Sequence, residues 1–489
     1  MSNKKYILSF VLLINALLVT AQKVNVVKGE TISKVESKPF ISSVYNNKVC
    51  VANRAKNKFE VTVFDAGTMA KTTEFSLPVV DKDVNGEEVF FMENKILVRY
   101  FNYPGYTNEY FDVYDYSGKS ILKAKELVKH KFKGESGDIL GSEVKISPNG
   151  KWLLLGTNGG NKKGKDYNVF DSDLKSSFNK TVKYEGENST GIMMFTVLTD
   201  NGDIGQLIKD EGGSRAVRFI VLDKATGAFK AGKTLLSSIN PSPVKAFYKA
   251  NHIYLGGMYE NLDEINDAAG AYSVKINLND LSVVDFHDGK FTDEQKADYY
   301  NKRKKMYKQF LIEKKEEPHI FGYQITAIVL DKNEDLVFSL TSVFEVPVDT
   351  RRVYHGVNIT QFVCSSSGSI KDFNVMYITQ VGIPEDAIKL RFGHVVASNG
   401  ETIVQIYNDD KDNLGVMIPK GVTTPMQRNN KIAVLYAENK GDEADRKLLV
   451  QSEKNIIIFP GVWSVSENAC YVAGAMDGET LVLLKIAIE

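Results

Sequence analysis

Cysteine is scarce in this chain: three residues among 489, Cys50, Cys364 and Cys470, in "KVCVA", "QFVCS" and "NACYVA". No pair stands at CxxC spacing and none has a histidine at zinc-site distance, which argues against a thiolate zinc site. Each lies in an apolar, strand-like run and reads as a small buried hydrophobe. Charge of one sign is lacking too. Lys+Arg and Asp+Glu stand at 61 each, without the basic bias that a nucleic-acid binder needs. The six histidines (His130, His252, His287, His319, His355 and His394) are scattered, with no two at helix or hairpin spacing for a metal. The local signatures GxSxG, HExxH, the P-loop and a helix-opening GxGxxG are all missing. An enzyme of this sequence would have to gather its catalytic groups from distant segments.

Long apolar runs are lacking except at the start, "MSNKKYILSFVLLINALLVTAQ". Lys4 and Lys5 precede an apolar stretch of about 13 residues, the length of a signal-peptide core and too short to cross a bilayer. Val19 and Ala21 are small residues suited to cleavage before Gln22. Residues 1–21 are therefore expected to be a signal peptide and 22–489 one mature domain, exported to the periplasm or the exterior with no remaining membrane span. Loss of Lys4 and Lys5 takes the 61 basic residues to 59 against 61 acidic, about −2.

What is present is repetition. "KISPNGKWLLLG", from Lys145, sets a polar tetrapeptide between two apolar runs. Ser147-Pro148-Asn149-Gly150 has the residue preferences of a type I turn. The same grammar of strand, short Asn/Gly/Asp turn and stronger apolar strand recurs in "VYNNKVCVAN", "FMENKILVRY", "LTDNGDIGQLI", "FYKANHIYLGG", "VLDKNEDLVFSL", "VASNGETIVQIY" and "VSENACYVAG". A further strand pair follows most of them. Early turns fall about 50 residues apart, the spacing of four-stranded propeller blades. The sequence thus predicts an all-β, single β-propeller of eight blades, seven being the alternative, with strands A to D in each. The last unit supplies only three strands, so residues near 24–35 are expected to close the ring and cover its open edge.

One segment breaks the β pattern. Residues 291–318, "FTDEQKADYYNKRKKMYKQFLIEKKEEP", are charged and lack glycine. Thr292 and Gln295 fit a capping box and Pro318 a helix stop, predicting a helix near 292–315. Tyr300, Tyr307 and Leu311 lie on one face, with Met306 and Phe310 beside it and Lys302, Arg303, Lys304, Lys305 and Lys308 elsewhere. Such a helix either packs on the rim with a solvated basic face or recruits a partner.

The turn "SPNGKWLLLG" resembles hairpins of TolB-type and WD40-like propellers. More of the chain, the Lys-rich helix with "YQITAIVLDKNEDLVFSL", "VYHGVNITQFVCSSSGSIKDFNVMYITQ" and "IVQIYNDDKDNL", resembles uncharacterised secreted propeller-like proteins of Bacteroidota. The resemblance implies fold and export, and no activity. Where that family carries an acidic-aromatic "AEQYY"-like segment, this chain reads "TSVFEVP" and keeps only Glu345.

Candidate site residues come from the long connections. "RYFNYPGYTNEYFDVYDYSG" places Tyr103, Tyr106 and Tyr110 in or beside a B–C loop, where exposed tyrosine suits sugar or peptide stacking. "TSVFEVPVDTRRVYHG" and "YNDDKDNLG" are expected as further B–C loops, offering Glu345, Arg351, Arg352, Tyr354, His355, Asp409 and Asp410. Asp81, Asp83 and Asn85 match the first half of a calcium loop, but Met92 stands where the bidentate glutamate belongs. Calcium is a weak candidate and no other cofactor is indicated. Tight A–B turns opposite long B–C loops predict one decorated face. Two functions fit: a non-catalytic binding propeller whose ligand is a protein or a glycan, or a hydrolase or lyase of polysaccharide or peptide with carboxylates converging at the channel.

Overall fold

In the computed structural model, the described residues are 24–32, 39–78, 84–102, 109–128, 142–158, 164–183, 191–210, 216–237, 239–261, 267–310, 320, 322–348, 351–382, 394–410, 432–438, 446–449, 456–466, 469–476 and 480–488. Their strands form seven hydrogen-bonded sheets, the blades of an all-β propeller, with one short helix. Four of the sheets are antiparallel meanders in chain order, as short polar turns between apolar strands dictate.

Five of the sheets have four strands, one has five and one has eight. The eight-stranded sheet holds two meanders, residues 143–183 and 191–236. Their outer strands, Ser176–Lys183 and Ala228–Leu236, meet through one parallel pair, Lys183↔Ala228. The expected eight separate blades are thus corrected to seven sheets, because this edge contact joins two meanders. In the five-stranded sheet, Ile239–Pro241 and Lys245–Lys249 both pair with His252–Asn261. Between them Pro243 has no N–H to give to a ladder. The last sheet takes Ile456–Ser466, Ala469–Met476 and Thr480–Ile488 from the C-terminus. Val24–Lys28 pairs antiparallel with the third of these, from Val24↔Ile488 to Lys28↔Leu484.

First strands of neighbouring meanders touch. Phe40–Ile41 contacts both Val84–Phe91 and Ile456–Ser466, and Lys245–Lys249, Tyr323–Leu330 and His394–Ser398 follow one another in the same way. Between neighbouring meanders lie layers of buried side chains, such as Leu154, Tyr167 and Phe178 with Leu198, Ile204 and Phe229. Each such side chain contributes roughly 1.5–3 kcal/mol by leaving water, so the stack of sheet faces holds the fold. All three cysteines are buried and free. Burial pushes the Cys50 and Cys364 thiols up to about 12.

The A–B turns interlock. Asn46 and Asn47 both adopt left-handed φ, 49° and 58°, as a two-residue hairpin turn requires. Asn46 Nδ2 donates to Glu93 Oε1 at 3.0 Å, and the Glu93 amide donates to the Gly150 carbonyl at 3.0 Å. The Asn149 amide donates to Asp200 Oδ1 at 2.8 Å, and Trp152 Nε1 to the Asp200 carbonyl at 2.8 Å. Four successive A–B turns are therefore bonded in series. "SPNG" is a scaffold turn, as read from the sequence, but it also grips both neighbours. Gly150 has φ +73°, and a Cβ there would stand 2.6 Å from the Glu93 amide nitrogen.

The helix Asp293–Phe310 joins the fifth and sixth meanders. Its capping box forms reciprocally: the Thr292 amide donates to Gln295 Oε1 at 3.0 Å and the Gln295 amide to Thr292 Oγ1 at 3.1 Å. Tyr299 and Tyr300 are buried. Tyr299 is an anchor that the expected face Tyr300-Tyr307-Leu311 missed by one position. The side chains of residues 302–310 and all of 311–319 lie outside the described residues.

Candidate functional site

The B–C side of the sheets carries clusters of buried polar side chains. In the second sheet, Arg99 lies between rings, its guanidinium carbon 5.2 Å from the Phe90 centroid and 5.6 Å from that of Phe101. It pairs with Glu88, and donates to Glu109 Oε1 at 3.1 Å and to the Ser142 carbonyl at 2.6 Å. Glu109 is fully buried and also receives the Ser142 hydroxyl. Nearby Asp112 accepts from Tyr100 at 3.3 Å, Tyr114 at 3.1 Å and the Ala124 amide at 2.6 Å. Burial, then the Asp112 charge, raises both phenols well above their ordinary range. Tyr110 stacks on Tyr100, centroids 5.7 Å apart.

A second constellation lies between the sheets of residues 323–382 and 394–448. Thr326 and Thr341 hydroxyls are 3.0 Å apart, and Thr341 Oγ1 is 2.9 Å from His394 Nδ1. Gln405 Nε2 donates to Ser339 Oγ at 2.9 Å and Gln361 Oε1 at 3.1 Å. This belt lies between an apolar layer of Val329, Val337, Val363 and Val396 and another of Ile359, Met376, Ile378 and Tyr407. His394 Nε2 and Gln405 Oε1 are buried with no partner. Burial lowers His394 to about 3, so the ring is neutral. Asn408 continues the network to the last sheet, exchanging two hydrogen bonds with Ile458 at 2.9 and 3.0 Å, while Gln380 donates to its carbonyl at 3.1 Å.

Several expected site residues stand elsewhere than in loops. Glu345, Arg351, Arg352, Tyr354 and His355 belong to strands Leu336–Val348 and Arg351–Cys364, pairing as Glu345↔Tyr354, Phe344↔His355, Pro347↔Arg352 and Val348↔Arg351. The expected loop is corrected to a long hairpin, since its β-branched and aromatic residues continue the ladder. Asp409 and Asp410 are corrected from loop to strand: they end Ile403–Asp410 and are buried, 1% and 6% exposed. Asn85 pairs with Phe101 inside strand Val84–Phe91, so it is extended ladder and not the tight turn of a calcium loop. Asp81, Asp83, Tyr103 and Tyr106 lie outside the described residues. Of the three tyrosines only Tyr110 is placed, beside Tyr100. Among the described residues, no cluster of three or more His, Cys, Asp or Glu side chains is arranged to hold a metal.

Sequence reading missed Arg99, Glu109, Asn358, His394 and Gln405. Their signal is faint: a polar residue at an inward position of an otherwise apolar run, as Asn358 and Thr360 in "GVNITQFVC" or Gln405 in "IVQIY".

No family model matches the chain, and no curated protein matches it. Solved structures do. A polysaccharide lyase, Uly1, is 12% identical, with 95% of this chain and 100% of that one covered at TM-score 0.38. A Dos1 propeller is 10% identical, covering 95% of both at TM-score 0.35. A PL25 ulvan lyase is 11% identical, covering 82% and 90% at TM-score 0.38.

Proposed function

We propose that this chain is an exported, non-catalytic β-propeller that binds a protein or a glycan on its B–C face. The observation that supports this reading is how the ionisable groups of that face are engaged. Arg99 is tied to Glu88 and Glu109, Asp112 to two phenols and an amide, and Arg218 to Asp210 at 2.6 Å. Groups committed to one another in the resting protein position backbone and loops; a general acid or base is poised instead with a pKa near the working pH. We read the ring as eight units, counting the joined meanders separately and closing the last with Val24–Lys28. In this reading the protein works in the periplasm or outside the cell after loss of residues 1–21, and nucleic acid is not its partner.

A second reading rests on one cluster. Glu88, Glu109 and Arg99 gather two carboxylates and a cation at one blade, a set that a hydrolase or lyase of polysaccharide could use. Capture from native envelope, a glycan array and product analysis with the same polysaccharides decide between them. Saturable binding without new reducing ends or unsaturated uronates supports the first reading. Turnover that disappears in Glu109→Gln replaces it with the second.

A further inference from the structure

The sheet of residues 323–382 has a buried polar patch that nothing above uses. Asn358 is fully buried, and neither its amide nitrogen nor its amide oxygen has a partner. Thr360 is 1% exposed and its hydroxyl is unpartnered as well. Ladder partners share a face and residues two apart along a strand do so too. Asn358 opposes Ser342 and Thr360 opposes Leu340, so the four lie together on the face turned toward the preceding blade. Ser342 Oγ is 2.9 Å from the Tyr299 hydroxyl, and the helix lies against strands Arg351–Cys364 and Ile370–Gly382. The patch is therefore covered by the first turns of the helix.

Two orphaned atoms on one buried amide are costly, because each forgoes its bonds to water without replacement. Such a feature is retained where something else supplies the bonds. The patch is neutral: an amide that both donates and accepts, and two hydroxyls. Aromatic faces border it, with Tyr299 6.4 Å from Phe373 and Phe373 6.1 Å from Phe362. The cover is held by a few polar contacts near its N-terminus: Tyr299 to Ser342, Lys296 to Asp267 at 2.7 Å, and Gln295 Nε2 to the Ile370 carbonyl at 3.1 Å.

We infer that Asn358, Thr360 and Ser342 form a subsite for the adjacent hydroxyls of an uncharged sugar, closed in this form by the helix Asp293–Phe310. The amide of Asn358 matches a vicinal diol, giving to one oxygen and receiving from the next, and the neighbouring rings suit the apolar face of a pyranose. This rests on the binding reading above and narrows its ligand to a neutral glycan. The helix holds the protein in a covered state, and a sugar binds by competing with the Tyr299–Ser342 contact.

The test is calorimetric titration of the full mature protein with cello-, xylo-, manno- and malto-hexaose, repeated on Asn358→Leu and Tyr299→Phe. At least one hexaose binds the wild type. Tyr299→Phe, lacking the latch, binds it about tenfold tighter. Asn358→Leu loses the binding at least tenfold with an equal or higher melting temperature, because it removes an unsatisfied polar group. The subsite is overturned if no hexaose binds wild type or Tyr299→Phe, or if Asn358→Leu binds as well as the wild type. It is equally overturned if Asn358→Leu lowers the melting temperature, since the amide is then a structural hydrogen-bonding group. Binding of acidic glycans or a protein, unaffected by Asn358→Leu, rejects the subsite and leaves the binding face standing. A chain that binds nothing in any of these formats rejects both.

Discussion

Thr341 Oγ1 and His394 Nδ1 meet at 2.9 Å inside the interface of two blades, with the imidazole wholly removed from solvent. The contact joins Leu336–Val348 to the first strand of the next sheet, and burial keeps the ring neutral.

Acid should attack this interface first. Burial holds His394 at about 3 in the folded protein, against about 6.5 in an unfolded chain. Between those values the unfolded state binds the extra proton. The contribution is therefore complete above about pH 6.5 and is lost as pH falls, at up to about 1.4 kcal/mol per unit. His394→Gln should flatten the melting temperature against pH between about 6.5 and 4. An unchanged slope there would mean that the ring stays solvated.

Glu334 works in a different window. Lys275 at 2.8 Å, Lys249 at 3.1 Å and the Tyr254 hydroxyl at 3.0 Å hold its carboxyl down to about 2. A depressed acid gives stability that is present above its unfolded value of about 4.3 and lost as pH falls toward 2. Glu334→Gln should therefore lower the melting temperature at neutral pH and converge with the wild type near pH 2–3. It should leave the slope between about pH 6.5 and 5 untouched.

Removing one partner of the Arg99–Glu109 pair should cost far more than removing both. Arg99→Met leaves a fully buried carboxylate without its cation, a loss of about 3–5 kcal/mol. The double variant with Glu109→Gln should recover at least half of it. Chemical denaturation of the wild type, both single variants and the double variant gives the coupling directly, and additive effects would show that the pair is not cooperative.

Gly150→Ala should destabilise by about 1–3 kcal/mol, since φ +73° and the adjacent Glu93 amide both oppose a side chain. The denaturation midpoint measures it. A variant equal to the wild type would mean that the turn moves freely. A loss at Thr292→Ala should be smaller, about 1 kcal/mol, and confined to faster amide exchange in residues 293–300.

Architecture was legible where local chemistry decides structure. "YNNK" and "SPNG" announce their turns because Asn and Gly enter left-handed φ at low cost. Thr292 and Gln295 announced the helix start for the same reason: a cap is a bond between neighbours in sequence. The site was less legible. "VFEVPVDTRRVYHG" looks like a loop because Pro347 and the charges suggest one, yet the partner strand keeps the ladder going through them. The burial of Asp409 and Asp410 depends on the neighbouring blades, which no local pattern reports. The number of sheets was hidden for a similar reason, since Lys183 and Ala228 are brought together only by the way two meanders lean.

The bonds running from Asn46 through Glu93, Gly150 and Asn149 to Asp200 tie four successive blades together along one rim. They act as an arc of a hoop: each of these four blades is pinned at its A–B end to the next. Polypeptide inserted on the free rim can vary in length and sequence while the pinned rim keeps blade spacing constant. This is the mechanical condition under which one scaffold can accommodate many different loops.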